Sequence, residues 1–344
     1  MKIKQRSRRG SGRPTLSDVA DRAGVGTITV SRALREPDRV SPELRERIDA
    51  AVLELGYVLN PNARALASVR ADVIGVLIPS MTNNVFADVL RGIHDELGES
   101  ALQVQFGNTH YSEREEERLL RVFLSQHPSA LIVSGIDQSP ATRRLLEQAD
   151  CPVVQIMEIG PDPIDMMIGF SHRDAGGAIT RHLLDVGCTR IGFIGARMDP
   201  RSLRRLEGYS AAMREAGRFD SRLVNTTTLP SSVTMGTRLL HEALERAPGL
   251  DAIVCNNDDL ALGVLFACQR QGIDVPGRLA IAGFNDLEMM AVASPSVTSV
   301  RTPRYEIGRR AMAMAMAELS GQPAGDRVVD LGFELRIRQS TSRR

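Results

Sequence analysis

The sequence predicts a small all-α head built on a helix-turn-helix, followed by an α/β body of parallel sheets folded as two lobes. Three observations carry this. Apolar residues recur at helical spacing on both sides of Gly24-Val25-Gly26, and from Val73 onward apolar runs of strand length alternate with helix-period stretches. The charge divides at the same place. Residues 1–70 carry 14 Lys and Arg against 8 Asp and Glu, a balance of +6, and the remainder carries −5, which together make the net +1 of the chain. A basic module joined to an acidic body is the asymmetry expected where a head meets phosphates.

The first 14 residues are a basic arm without the apolar centre of a secretory signal, and no apolar run reaches the roughly 18 to 20 residues of a membrane span, so the protein is expected in the cytoplasm. Residues 15–58 then read as three helices. Leu16, Val19, Ala20 and Ala23 share one side of the first, and Gly24 and Gly26 bend the chain around Val25. On the second, from Thr27, the residues Val30, Ala33 and Leu34 can pack inward, while Thr27, Ile28, Ser31 and Arg32 fall along the opposite strip. That strip suits base edges: hydroxyls bond several bases, Ile28 can pack on a thymine methyl, and Arg32 can grip a guanine. The third helix starts at Ser41 and Pro42, carries Leu44, Ile48, Ala51, Val52 and Leu55, and stops at Gly56. Residues 59–71 follow as a linker in which Asn60-Pro61 could open one more short helix, too brief to form without a partner.

The body, residues 72–344, shows buried-strand runs at 73–79, 102–107, 130–135, 152–157, 190–196, 252–257 and 279–284, with helical stretches such as Val85 to Leu97, Arg114 to Phe123, Ala178 to Val186, Leu203 to Ala216 and Leu260 to Gln271. These are too many strands for one mononucleotide-sized half, so two similar lobes are expected. Ligands of open parallel sheets sit past the carboxyl ends of strands, which nominates Ser80 to Phe86, Met157 and Glu158, Gly195 to Arg205, Asn256 to Asp258, and Phe284 to Asp286. Arg197, Arg201, Arg204 and Arg205 crowd near a helix start, where a carboxylate or phosphate is the simple inference and a solvated basic helix face the competing one. Cys151, Cys188, Cys255 and Cys268 lie far apart without a CxxC pair, and read as reduced thiols. There is no HExxH, Walker loop or GxSxG, and no catalytic residue, metal or cofactor is assigned. From the body alone a hydrolase or kinase of sugars is conceivable, but an enzyme has no use for a basic helical head, and a transport-linked binding protein would require an export signal and lack the head.

The segment TLSDVADRAGVGTITVSRALREPDRVSPELRERIDAAVLELGYVLN, Thr15 to Asn60, resembles the DNA-binding headpiece of the lactose-repressor (LacI/GalR) family of bacterial regulators. The resemblance implies base reading by Thr27, Ile28 and Arg32, a hinge helix that orders on operator DNA and inserts a leucine, here Leu66, into the minor groove, a homodimer, and a body with the type I periplasmic-binding-protein fold. Leu59 stands where the family often has proline. The candidate DNA-contacting set is thus Thr15, Leu16, Thr27, Ile28, Thr29, Ser31 and Arg32 in the head, with Asn60, Arg64 and Leu66 in the hinge. The body is expected to hold lobes of about 72–170 plus 300–328 and 171–299 plus 329–344.

The family's effector-gripping arginine, three residues before a Gly-aromatic pair, falls on Arg205, and its Asn-Asp asparagine on Asn257. Asn285 replaces its usual aspartate, a change that tolerates a nearby carboxylate. The candidate effector set is Ser80, Phe86, Glu158, Arg197, Arg201, Arg205, Asn257 and Asn285. Within the family, IPSMTNNVFADVLRGI, GARMDP and DLGFEL are similar to the gluconate operon repressors. The implied function is a repressor of sugar-acid catabolism genes, released from a palindromic operator by gluconate or a related sugar acid, with a phosphorylated sugar or other metabolite as the alternative effector.

Overall fold

The computed structural model describes residues 14–58, 71–322 and 325–342. The chain divides into two units, Met1–Ala71 and Asp72–Arg344. In the first, α1 (Leu16–Ala23) opens on a reciprocal cap: Asp18 N–H donates to the Thr15 hydroxyl at 3.3 Å, and Thr15 N–H donates to the Asp18 carboxylate at 2.6 Å. Gly24 ends it in the left-handed conformation, at φ 66°. The second helix, α2 (Thr27–Arg35), starts at Gly26 with no side-chain cap. A 3-10 turn over Pro37–Arg39 leads to α3 (Pro42–Leu55). Val19, Ala20, Ala23, Val30, Ala33, Ile48 and Ala51 are the buried centre, and Val25 packs against them from the turn. Arg47 donates to the Ala23 carbonyl and ties α3 to the end of α1.

The second unit runs β1 (Val73–Ile78), α4 (Asn84–Leu97), β2 (Gln103–Asn108), α5 (Glu113–Leu124), β3 (Ala130–Ser134), α6 (Pro140–Glu147), β4 (Val153–Ile156), β5 (Met166–Gly169), α7 (His172–Asp185), β6 (Ile191–Ala196), α8 (Pro200–Glu215) and β7 (Val224–Thr227). It continues through α9 (Val233–Arg246), β8 (Ala252–Cys255), α10 (Asp258–Gln271), β9 (Ala280–Asn285), α11 (Glu288–Val292), β10 (Thr298–Arg301), α12 (Arg304–Leu319), β11 (Val328–Asp330) and β12 (Glu334–Arg336). Two six-stranded sheets result, ordered β11-β5-β4-β3-β1-β2 and β12-β10-β9-β8-β6-β7. The central strands β3, β4, β6, β8 and β9 are buried almost throughout, because helices cover both faces and leave no solvated side to host polar alternation.

The chain passes between lobes three times, after β5, after β10 and after β11. Val300 and Arg301 stay in the second sheet, paired with Phe284 and Asn285, and β11 keeps Val329 and Asp330 in the first sheet, paired with Ile168 and Gly169. All pairings are parallel except β12 with β10. The reason is the short link from β11: it delivers the chain to the second sheet beside Arg301, the far end of β10, so β12 can only run backwards.

Three pairs of helices among the described residues approach closely through glycine, α9 with α10 at Gly236 and Gly263 being one of them. A Cβ at Gly308 of α12 would lie 2.0 Å from the Val89 carbonyl of α4, and one at Gly208 of α8 would lie 1.9 Å from the Arg173 carbonyl of α7. The last contact sets Arg205, one turn before Gly208, against His172 at the start of α7. Among the described residues no helix is long and apolar enough to cross a membrane.

Candidate functional site

In the head, Leu16, Thr27, Ile28, Ser31 and Arg32 line one shallow surface hollow together with Glu36. Ile28 is 74 % exposed, an apolar side chain left in water on the face that the packed side of α2 does not use. Thr29 lies outside that hollow and is half-buried. Thr15 is exposed, but its amide and hydroxyl are taken up by Asp18. Asn60, Arg64 and Leu66 lie outside the described residues. Arg32→Ala is expected to cost about 1 to 3 kcal/mol on operator DNA and much less on random sequence if it reads a base. Equal loss on both in a gel-shift titration would reduce Arg32 to a phosphate contact.

In the body, the carboxyl ends of β1, β4, β6, β8 and β9 surround a cavity of about 190 Å³. Seven of the eight candidate residues line it: Ser80, Phe86, Arg197, Arg201, Arg205, Asn257 and Asn285. Arg197 lies in the loop after β6 and places its guanidinium 4.1 Å from the Tyr111 ring centroid across the cleft. Arg201 and Arg205 sit on α8, which begins earlier than the spacing predicts because Asp199 caps it by accepting the Ser202 amide at 2.9 Å. Arg201 donates to Ser134 of the first lobe at 3.2 Å and pairs with Asp199 at 3.6 Å. Burial would raise the Asp199 carboxyl, but Arg201, the Ser202 amide and Arg205 outweigh it and hold it below the usual range.

Arg205 forms the floor. Its Nη1 donates to the Asn256 carbonyl, its Nε to His172 Nδ1 at 3.1 Å, and its guanidinium lies 3.8 Å from the Phe284 ring centroid. Burial lowers its pKa to about 10, with Asp199 opposing and Arg201 adding to the fall, so it is a full cation at neutral pH. Asn257 caps α10, its Oδ1 accepting the Leu260 amide at 3.1 Å, and it bonds to Ser231. Asn285 is buried at φ 114°, and its Oδ1 has no hydrogen-bond partner among the described residues. An unmet acceptor on a cavity wall is a place for a ligand donor.

Glu158 is the exception and is corrected. Met157, held at φ 74°, presents itself to the cavity, and Glu158 turns away behind it, 1 % exposed. One Glu158 oxygen accepts the Ile159 and His172 amides, and the other lies 3.5 Å from Arg204. Arg204 in turn grips Asp137 with two bonds of 2.8 and 2.6 Å, joining α8 to the first lobe. Burial pushes the Glu158 carboxyl up to about 7 against the pull of Arg204. Between its ordinary value and 7 the folded protein holds a proton that the unfolded chain has released, so stability falls as pH rises through that window. Glu158→Gln is expected to flatten the fall between about pH 5 and 7 without removing it, since Glu116 and Asp258 are also raised, to about 7 and about 6. Urea denaturation across that range checks this, and an unchanged slope would sink it. Asp199 and Asp258 also line the cavity; they lie inside the nominated strand-end loops but were not among the eight candidate residues, whereas Tyr111 and Ser231, also in the lining, lie outside every nominated loop.

Two candidate surfaces result, a shallow hollow on α2 in one unit and an arginine-floored cavity in the other. The family described as bacterial regulatory proteins, lacI family, matches residues 15–60, and the periplasmic binding protein-like domain matches residues 180–341. The chain is 43 % identical over 333 residues to the HTH-type transcriptional regulator GntR of Pseudomonas aeruginosa, covering 97 % of each. It is 38 % identical to the regulator of the same name in Escherichia coli K12, covering 94 % of this chain and 97 % of that one. A solved LacI-family regulator from Silicibacter pomeroyi superimposes with a TM-score of 0.90 at 37 % identity, covering 96 % of this chain and all of the other. These relatives are transcriptional regulators and not enzymes, and with the helix-turn-helix and the two parallel-sheet lobes in place, the chain belongs to the lacI family of DNA-binding bacterial regulatory proteins.

Proposed function

We propose that the protein represses sugar-acid catabolism genes as a cytoplasmic homodimer and leaves its operator when gluconate or a closely related sugar acid enters the interlobe cavity. The observation that carries the effector class is the buried, charged Arg205 on the cavity floor, with Arg197 and Arg201 on its walls. Three guanidiniums converging on one small space favour an anion. Asn285, Asn257 and Ser231 on the same lining offer donors and acceptors to hydroxyls. The similarity to regulators named GntR points the same way.

On DNA, two heads would lay their α2 helices in successive major grooves of a near-palindromic operator, with the hinges, Leu66 among them, in the minor groove between. Closure or rotation of the lobes around the effector would change the hinge spacing. Coupling of this kind is typically about 1 to 3 kcal/mol, enough to shift operator occupancy severalfold to a hundredfold.

The test is calorimetry with gluconate, 6-phosphogluconate and 2-ketogluconate, paired with footprinting of the full-length protein on its own genome. Gluconate binding together with loss of a protected palindrome supports the reading. Preferential binding of 6-phosphogluconate moves the effector to the phosphorylated class, and the lack of any protected palindrome overturns the reading.

A further inference from the structure

A buried arginine that must bind an anion needs something to hold it, and the obvious holder, a carboxylate, would spend the charge meant for the ligand. Here the holder is different. His172 is fully buried at the start of α7, in the segment where the chain passes from the first lobe to the second. Its Nε2 lies 2.9 Å from the Met157 carbonyl, which can only accept, so Nε2 carries the proton. Nδ1 therefore has a free lone pair, and Arg205 Nε–H donates to it at 3.1 Å. The ring is clamped between Phe170, at 4.3 Å between centroids, and Phe284, at 5.7 Å. Phe284 also lies beneath the Arg205 guanidinium.

We propose that His172 is the positioning residue for ligand capture: its uncharged imidazole fixes the Arg205 guanidinium toward the cleft while leaving the arginine's charge for the ligand. This rests on the reading of Arg205 as the effector-binding cation. With Nε on His172 and Nη1 on the Asn256 carbonyl, the Nη2 edge is the one left to meet a carboxylate. Burial and the neighbouring cations Arg205, Arg201 and Arg204 oppose protonation of His172 and outweigh the Met157 carbonyl, holding its pKa well below the usual imidazole range and leaving the lone pair free at neutral pH. The Met157 carbonyl belongs to the first lobe and Met157 itself lines the cavity, so the same imidazole links the ligand's arginine to both lobes.

Two variants of the full chain separate positioning from packing. His172→Phe keeps an aromatic ring but removes the acceptor, and His172→Gln supplies an amide oxygen in place of Nδ1. Gluconate affinity by calorimetry is expected to fall about tenfold or more in His172→Phe, the worth of a hydrogen bond to a charged group, and to stay within about threefold of wild type in His172→Gln. Wild-type affinity in both variants, or equal loss in both with matching loss of thermal stability, overturns the proposal. A second measurement needs no variant and no ligand: the Arg205 Nε–H proton of ¹⁵N-arginine-labelled wild type should exchange slowly with solvent, and free exchange overturns the positioning role whatever gluconate does. If wild type fails to bind gluconate while that proton is protected, the effector assignment fails and the positioning role stands.

Discussion

Arg205→Ala is expected to lower gluconate affinity by about 30-fold to several thousandfold, the 2 to 5 kcal/mol lost when one partner of a buried, hydrogen-bonded charge pair is truncated. Operator affinity without effector should remain within about twofold. The asymmetry follows from what Arg205 touches. Its partners are His172, the Asn256 carbonyl and the Phe284 face, all buried in the body behind the cavity lining, and the space left by the truncated side chain opens to the cavity, from which water can replace the missing donors. Asp199 loses one favourable neighbour but keeps Arg201 and the Ser202 amide. Arg205→Lys should restore only part of the affinity, because an ammonium cannot bond to the Asn256 carbonyl and His172 in the same plane and still face the ligand. Calorimetry with gluconate and a fluorescence titration on operator DNA check both halves. A variant released from operator at the wild-type gluconate concentration contradicts the assignment.

The second large effect is structural. Gly208→Ala would put a methyl 1.9 Å from the Arg173 carbonyl oxygen and 2.6 Å from the Gly177 nitrogen. Both are backbone atoms of α7, so no rotamer change can make room and the two helices must separate. Overpacking of this sort costs about 1 to 3 kcal/mol and sometimes more, which lowers the melting temperature by several degrees in a body of this size. Because Gly208 stands one turn beyond Arg205, the separation also shifts Arg205 from His172, and effector affinity should fall with stability. Thermal denaturation and calorimetry on the same preparation check the pair of effects. A variant with the wild-type melting point would mean that the close approach of α7 and α8 is not needed.

The head was legible in the sequence because everything that shapes it is local. Gly24, Pro42 and Gly56 punctuate the helices, and Val19, Val30 and Ile48 fall at helical spacing, so neighbouring residues carry the whole pattern. The apolar central strands were equally plain. Strand β5 is four residues rich in methionine and β7 is the polar run Val-Asn-Thr-Thr at a sheet edge, so neither announces itself by hydrophobicity. Helix α9 and the Met- and Ala-rich α12 likewise lay outside the stretches singled out. For the cleft, strand ends indicate position but not direction. Glu158 was nominated because it ends a strand, and only the left-handed backbone of Met157 reveals that it faces away. Tyr111 and Ser231 are loop residues of common type, and nothing in their spacing separates a cavity wall from an ordinary turn.

The three passages of the chain between lobes have a mechanical consequence. Two polypeptide plates joined along three short pins can swing about the line of those pins far more easily than they can slide. Residues of the cavity lining are hydrogen-bonded to residues beside those pins. His172 stands at the first pin and reaches Arg205, while Arg304, just past the second, donates to the Asn285 carbonyl and to Asp88 of α4. The proposed effector, held by Arg205 and Asn285, would therefore push close to the axle, where a fraction of an ångström becomes a wide arc at the outer rims.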